Sequence, residues 1–473
     1  MRRLLILLLA AIVSACTVVG PDYRRPADAK IGAPSANGDF VGGSGPEFAR
    51  GPVPDQWWRL YRSPALDGLV SEALQANTDL RAAAANIARA NAGLDFAGAA
   101  RQPSTSIAAG AAYSRRSAEE ELHPGKPFPN KFVYSTGIGI SYDLDLFGQI
   151  TRAIESADAD LGAAQAAHDA VRITVAAETT RAFIAACALG HEIAVTEKSV
   201  ALQAKSTDLT RALVRAGRGS SLDVTRSLSQ EEQVRAGLPA LQAQRRDALY
   251  RLAVLAGRPP ADYPRELESC AQEPALAQAI PIGDGASLLR RRPDVRRAEF
   301  ELHAATARIG VATADLYPKV SLGASIGSTG LGSNFMNADT FKFSIGPLLT
   351  WQFPDRSRTK ARIDAANAEA QIAYARFDGA VLGALRETEV ALEDYARDLE
   401  RRVLLESARQ QAEKAAADVQ VLFAAGRQGY LAVLDATRTQ TSAEQAVASA
   451  DSKLAADRVN LFLALGSGWG ANQ

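Results

Sequence analysis

Of the 473 residues, four are histidine, three are cysteine and two are methionine, and aromatics make up 6%. So few histidines and cysteines leave little material for a metal or acid–base centre. Three cysteines cannot build a disulfide scaffold. Net charge is missing too: 53 Lys and Arg balance 53 Asp and Glu. A nucleic-acid binder working through bulk charge would show a basic excess. There is no P-loop, no HExxH, no nucleophile elbow and no dinucleotide fingerprint, so neither an enzyme nor a cofactor is expected. Beyond Cys16 no run of about 18 or more residues is apolar throughout. A mature chain that crosses a membrane must therefore do so as a closed β-barrel. What the sequence has in quantity is alanine, with Leu, Arg, Glu and Gln, a mixture that favours long helices packed closely through small residues.

The N-terminus has the form of a secretory signal over residues 1–15. Arg2 and Arg3 form a charged region, and Leu4 to Val13 an apolar one too short to span a bilayer as a mature helix. Ser14-Ala15-Cys16 then resembles the lipobox of bacterial lipoproteins, in which the cysteine becomes the first mature residue and carries diacylglycerol and an acyl chain. Thr17, in place of the Asp that retains such lipoproteins in the inner membrane, points to the outer membrane. An ordinary signal with a chance cysteine is the alternative.

The chain repeats itself. Residues from Asn77 through Pro103 parallel those from Arg292 through Pro318, an offset of 215 (318 − 103). Leu213 to Arg218 parallel Leu422 to Arg427, an offset of 209 (426 − 217). Each copy reads helix, two strands, long helix, turn, helix. The expected organisation is a lipidated, extended segment 16–62 and a first repeat 63–256 with a hairpin at 103–146. Within it run a long helix 149–215 and a helix 221–256 capped by Ser221. A linker 257–290 follows, then a second repeat 291–465 with a hairpin at 318–353, a long helix 356–425 and a helix 430–465, and a tail 466–473. Gly217, Gly219, Gly426 and Gly429 mark the turns.

The strands alternate. Phe132, Tyr134, Thr136, Ile138, Ile140 and Tyr142 share one face, and Ser135, Gly137, Gly139, Ser141 and Asp143 the other. Val320, Leu322, Ala324 and Ile326 oppose Ser321, Gly323, Ser325 and Gly327 in the third strand; the first and fourth follow suit. Apolar outside and small polar inside over roughly 10 residues fits a transmembrane barrel strand. A soluble sheet with one buried face gives the same alternation. Four strands cannot close a barrel, for which about eight are needed, so strands must be pooled between chains. The segment 149–215 would run about 100 Å as a helix. It carries a coiled-coil seam: Ile150, Ile154, Ala157, Leu161, Ala164, His168, Val171 and Val175. His168 reads as a tolerated seam residue, and His123, His191 and His303 as isolated ones. Cys187 and Cys270 fall at similar heights along the helices; two unpaired buried thiols are expected, with a disulfide as the alternative.

The stretch from Cys16 to Tyr23, Trp57-Trp58, Arg291-Arg292-Pro293-Asp294, Leu316-Tyr317-Pro318 and the tip turns together resemble the TolC-like outer membrane factors. The resemblance is to the NodT-like lipoprotein branch that serves RND multidrug pumps, and it covers essentially the whole mature chain. It implies a mainly α fold with a transmembrane β part: a homotrimeric α-barrel tunnel topped by a barrel of twelve strands (3 × 4). It also implies an equatorial belt, a lipid-anchored place in the outer membrane, and a periplasmic adaptor and an inner-membrane RND transporter as partners. The implied function is passive efflux of drugs or other small molecules. Leu431, Asp435 and Arg438 align with the family's periplasmic constriction. Asp435 and Arg438 share a helix face and could equally be a solvated surface pair. Asp223 and Arg226 are the first-copy counterparts, placed slightly differently. A type I protein-secretion duct and a structural, non-pore lipoprotein are the competing functions.

Overall fold

The computed structural model describes residues 18–119, 122, 124–274, 276, 278–351, 353 and 356–467. The signal segment 1–15, Cys16, Thr17, His123 and the end of the tail lie outside the described residues. In chain order the main elements are α1 Pro64–Ala76, α2 Thr78–Ala99, β1 Ser104–Ser114, β2 Lys131–Leu144, α3 Gln149–Arg215, α4 Ser221–Arg235 and α5 Leu238–Leu255. There follow α6 Gly285–Arg291, α7 Pro293–Ala314, β3 Lys319–Leu331, β4 Phe341–Thr350, α8 Arg356–Ala424 and α9 Tyr430–Ala464. The described residues fall into two compact units. One draws on residues up to 26, 86–164 and 297–377; the other on 27–85, 165–296 and 378 onward.

The first unit holds an antiparallel sheet in the order β1-β2-β3-β4. Its register keeps the two faces apart. Ile107 lies opposite Ile138, Ile138 opposite Ile326, and Ile326 opposite Phe343. One step along, Ser106, Gly139, Ser325 and Ser344 form the matching row on the other face. A one-residue slip would exchange the two sets, so the pattern itself fixes the pairing. Tyr134 is an exception on the apolar face. It is 4% exposed because the 332–340 connection folds over it. Its hydroxyl accepts from Met336 N at 2.8 Å and shares hydrogen bonds with Ser328 and Thr340, while Phe335 packs against its ring.

The second unit has the larger core. Trp57 is fully buried and stacks on Phe462 at 4.5 Å; Tyr61, Leu66, Val70, Phe183, Leu249, Leu252 and Leu392 complete the centre. Segment 17–62 is not simply extended. Its described part contains 3₁₀ turns at Lys30–Gly32, Val41–Ser44 and Trp57–Tyr61, and Phe48–Ala49 pairs in parallel with Ile280–Pro281. The expected single helix 221–256 is two helices. Pro239 has no amide hydrogen to give and its ring meets the carbonyl four residues back, so α4 stops at Arg235 and α5 restarts beyond Gly237. Ser220, not Ser221, caps α4, in a capping box with Asp223. Among the described residues α3 alone has a window long and apolar enough to cross a membrane, and that window is 72% buried within the protein, as in a core helix.

Candidate functional site

Four features of the fold bear on function. The first is the sheet. Ile107, Ile138, Ile326 and Phe343, one row across its apolar face, are 81%, 49%, 50% and 74% exposed. A water-soluble sheet buries such a face; this one presents it outward on all four strands. The edge strands β1 and β4 have no second partner among the described residues, so their outer backbone groups are unpaired over 11 and 10 residues. Exposed edges of that length are ready templates for pairing with further strands. Where the sheet joins the helices, Phe147 stacks on Tyr317 at 4.5 Å and Trp351 Nε1 donates to Leu316 O at 3.2 Å. Aromatics at that level match an interfacial girdle.

The second feature is the N-terminal lead. Arg152 on α3 is 4% exposed and donates to Val19 O, Gly20 O and Asp22, while also pairing with Glu155. Gly20, at φ +88°, passes so close to Gly310 that a Cβ would sit 2.4 Å from the Gly310 Cα. Tyr23 stacks on His303 at 4.4 Å and donates to Glu299, and Arg25 grips the same carboxylate with two nitrogens. His303, isolated in the sequence, is therefore held by Tyr23 and by Glu155 at 3.1 Å. Its partners lie 148 or more residues away along the chain, beyond the reach of any local spacing rule.

Third come the turns that end the two long helices. Gly217 and Gly426 both adopt φ +70°, a conformation that costs glycine nothing. Each turn makes the same pair of bonds: Gly217 N to Val214 O with Arg218 N to Leu213 O, and Gly426 N to Phe423 O with Arg427 N to Leu422 O. These are Schellman motifs, repeated 209 residues apart. Gly219 and Gly429 follow within the same turns, Gly429 as the N-cap of α9. Beyond the second turn, Arg438 donates to Asp435 at 2.9 Å, with side chains 64% and 69% exposed, and Leu431 is 56% exposed. Asp223 is committed to its capping box, so the two copies differ here. Periodicity did not single out Tyr430. Its hydroxyl bonds both Ser206 Oγ, at 2.8 Å, and Ser227 Oγ, at 3.3 Å, tying the start of α9 to α3 and α4.

Fourth is the linker. Cys187 on α3 and Cys270 form a disulfide, with Cα atoms 4.8 Å apart. This corrects the expectation of two unpaired thiols. Arg245 of α5 donates to Leu267 O and Cys270 O and also to Ala186 O, drawing the linker onto α3. Helix heights alone could not reveal that draw. Just past the bridge, burial pushes the Glu273 carboxyl up to about 7, with Arg458 and Arg402 pulling it back and Asp451 and Glu192 adding to the rise. Arg292 of the Arg-Arg-Pro-Asp run is buried. It pairs with Asp294 and Glu387 and donates to Ala464 O, the end of α9. No group of His, Cys, Asp and Glu that could hold a metal ion occurs among the described residues.

A family model described as outer membrane efflux protein matches residues 69–258 and 286–467. Nodulation protein T of Rhizobium leguminosarum bv. viciae is 28% identical over 477 residues, covering 99% of this chain and 94% of that protein. Outer membrane protein OprJ of Pseudomonas aeruginosa is 30% identical, covering 98% of this chain and 95% of its own length. The solved structure of the outer-membrane channel OprN superposes with a TM-score of 0.87 at 34% identity, covering 95% of this chain and 99% of that one. Each matched segment spans one helix–hairpin–long helix unit of the fold, and the chain belongs to the outer membrane efflux protein family and resides in the outer membrane.

Proposed function

We propose that three copies of this chain form the outer-membrane channel of a tripartite efflux pump. Twelve pooled strands (3 × 4) close the barrel, and the long helices of the three copies wall a periplasmic tunnel. The conduit is passive; a periplasmic adaptor and an inner-membrane RND transporter supply energy and cargo, drugs or other small molecules. Cys16 is acylated and adds a lipid anchor to the barrel. The observation that carries this reading is the sheet with an exposed apolar face and two unpaired edges, since only closure with other strands in lipid satisfies both at once.

Leu431, Asp435 and Arg438 form the constriction at the periplasmic tip, with Gly217, Gly219, Gly426 and Gly429 shaping the turns beside it. Three Asp435 carboxylates around the axis make a ring that favours cations. Tyr430, bonded to Ser206 and Ser227, holds the tip helices together and supports the closed state. The test is conductance of the purified protein in planar bilayers. The parent should form small cation-preferring channels, and Asp435→Ala with Arg438→Ala should raise conductance and weaken that preference. A protein that forms no channels would refute the pore. Co-purification with a protein-secretion transporter rather than an RND adaptor would reassign the cargo.

A further inference from the structure

One groove of the second unit, bounded at one end by the Arg292 contacts, has no further part in the features above. It has a volume of about 450 Å³ and lies among α3, α8, α9 and the start of α7. Ile173, Val390 and Leu463 give it apolar walls, and Asp394, Asp457 and Asn460 point polar groups at it. It faces away from the N-terminal segment. On α8, Val390 and Asp394 line it, while Glu389 accepts from Val41 N and Gly42 N one face round. On α9, Asp457 and Asn460 line it, while Phe462 turns to Trp57.

The groove holds more negative charge than its own cations answer. Asp457 is 8% exposed, and its Oδ2 has no hydrogen-bond partner. Lys453, one turn earlier, comes within 3.7 Å of that oxygen but bonds Asp398. Asp394 has no ion pair among the described residues, so Asp394, Asp398 and Asp457 share one ammonium. Arg292, at the far end, is already taken by Asp294, Glu387 and Ala464 O. Arg386 sits exposed at the rim. Burial pushes the Asp457 carboxyl above its usual range, against the pull of Lys453 and a hydrogen bond from Asn460, with Asp394 adding to the rise. A buried carboxylate oxygen without a partner is costly unless a cation or donor reaches it. Apolar walls with a few convergent polar groups are the form of a small-molecule site.

We propose that this groove binds an organic cation with an apolar body, the positive centre seated between Asp457 and Asp394 and the body against Ile173, Val390 and Leu463. This rests on the channel reading. With the groove on the tunnel side in that reading, it is a resting place for cationic cargo.

Tetraphenylphosphonium and tetraphenylborate, nearly alike in shape and opposite in charge, test it by equilibrium dialysis against the purified full-length protein in detergent. Subtracting a variant lacking both acids, Asp394→Asn with Asp457→Asn, removes micelle partition. The expected result is saturable phosphonium binding, one site per chain, and no borate binding. Each single Asn variant should weaken binding at least about tenfold, the low end of what a close charge pair contributes. Asp394 is exposed, so Asp394→Asn keeps the test meaningful if Asp457→Asn folds poorly. Absence of a saturable component, equal uptake of both ions, or unchanged affinity in both variants overturns the proposal. Because dialysis does not depend on conductance, a protein that binds phosphonium but forms no channel would refute the channel and leave the site standing.

Discussion

Asn77 and Arg292 hold the same position in the two repeats, 215 residues apart (292 − 77), and bridge the same kind of gap. The Asn77 side chain donates to Leu255 O at the end of α5 and accepts from Asp79 N and Leu80 N at the start of α2. Arg292 donates to Ala464 O at the end of α9 and clasps Asp294 at the start of α7. Helix ends leave backbone groups without intrahelical partners, and each residue serves two ends at once, one with an amide and one with a guanidinium.

The two bridges should differ in weight. The Arg292 side chain is buried while those of Asp294 and Glu387 are about half exposed, so its ion pairs are partly screened. Its loss costs about 2 kcal/mol, chiefly the charge-assisted bond to Ala464 O, whereas losing a capping amide costs about 1 kcal/mol. Arg292→Met should therefore lower Tm clearly more than Asn77→Ala, read by circular dichroism of the detergent-solubilised protein. Equal effects would show that Glu387 and Asp294 contribute nothing beyond the cap.

The disulfide predicts a reducible step in stability. Its partners are 83 residues apart, and loop-closure entropy sets the worth of such a crosslink at about 4 kcal/mol. Peptide mapping without reductant should recover Cys187 and Cys270 joined. Cys187→Ser with Cys270→Ser should lower Tm as reductant does to the parent, and reductant should then have no further effect. Two free thiols on mapping would contradict the pairing.

Stability should also fall between pH 5 and pH 7.5 through Glu273. Its folded pKa, about 7, lies above the unfolded value, so the native state holds the extra proton across that window. Stability is then greatest at the acid end and is lost as pH rises. Glu273→Gln should flatten the profile there. Glu406, held at about 2 by Arg409 and Gln410, titrates well below this range, so its loss of pairing appears only in stronger acid. A profile unchanged by Glu273→Gln would mean that Arg458 and Arg402 neutralise the carboxylate fully.

The sheet's two faces should respond in opposite ways to one lysine. On a lipid face near the bilayer centre, lysine costs about 2–4 kcal/mol, whereas inside the lumen it tunes selectivity. Ile326→Lys should block membrane insertion. Ser325→Lys, one residue away on the other face, should insert normally and shift ion preference toward anions. Insertion is read by urea-resistant membrane fractionation. If both variants insert equally, the apolar face is not in lipid.

These contrasts follow how the chain can be read. The strands were legible because their side-chain period of two survives in the exposed face, and Gly217 and Gly426 were legible because left-handed turns call for glycine. The break at Pro239 lay in plain sight but was masked by the alanine-rich helix pattern on both sides. The rest depended on distant partners. Arg152 waits on Val19 and Asp22, His303 on Tyr23 and Glu155, and Cys270 is carried to Cys187 by Arg245. Leu431, Asp435 and Arg438 are proposed as the constriction on resemblance, whereas the bonds of Tyr430 to Ser206 and Ser227 show only with α3, α4 and α9 side by side.

The lead around Gly20 has a consequence for the order of events in folding. Its carbonyls and carboxylate wait for Arg152, and its neighbours Glu299 and Gly310 come nearly 300 residues later in translation. Contacts of such sequence separation form slowly, because the intervening chain must first be ordered. The lead around Gly20 is thus made early and seated late, a closing stitch drawn through helices that come after it in the chain.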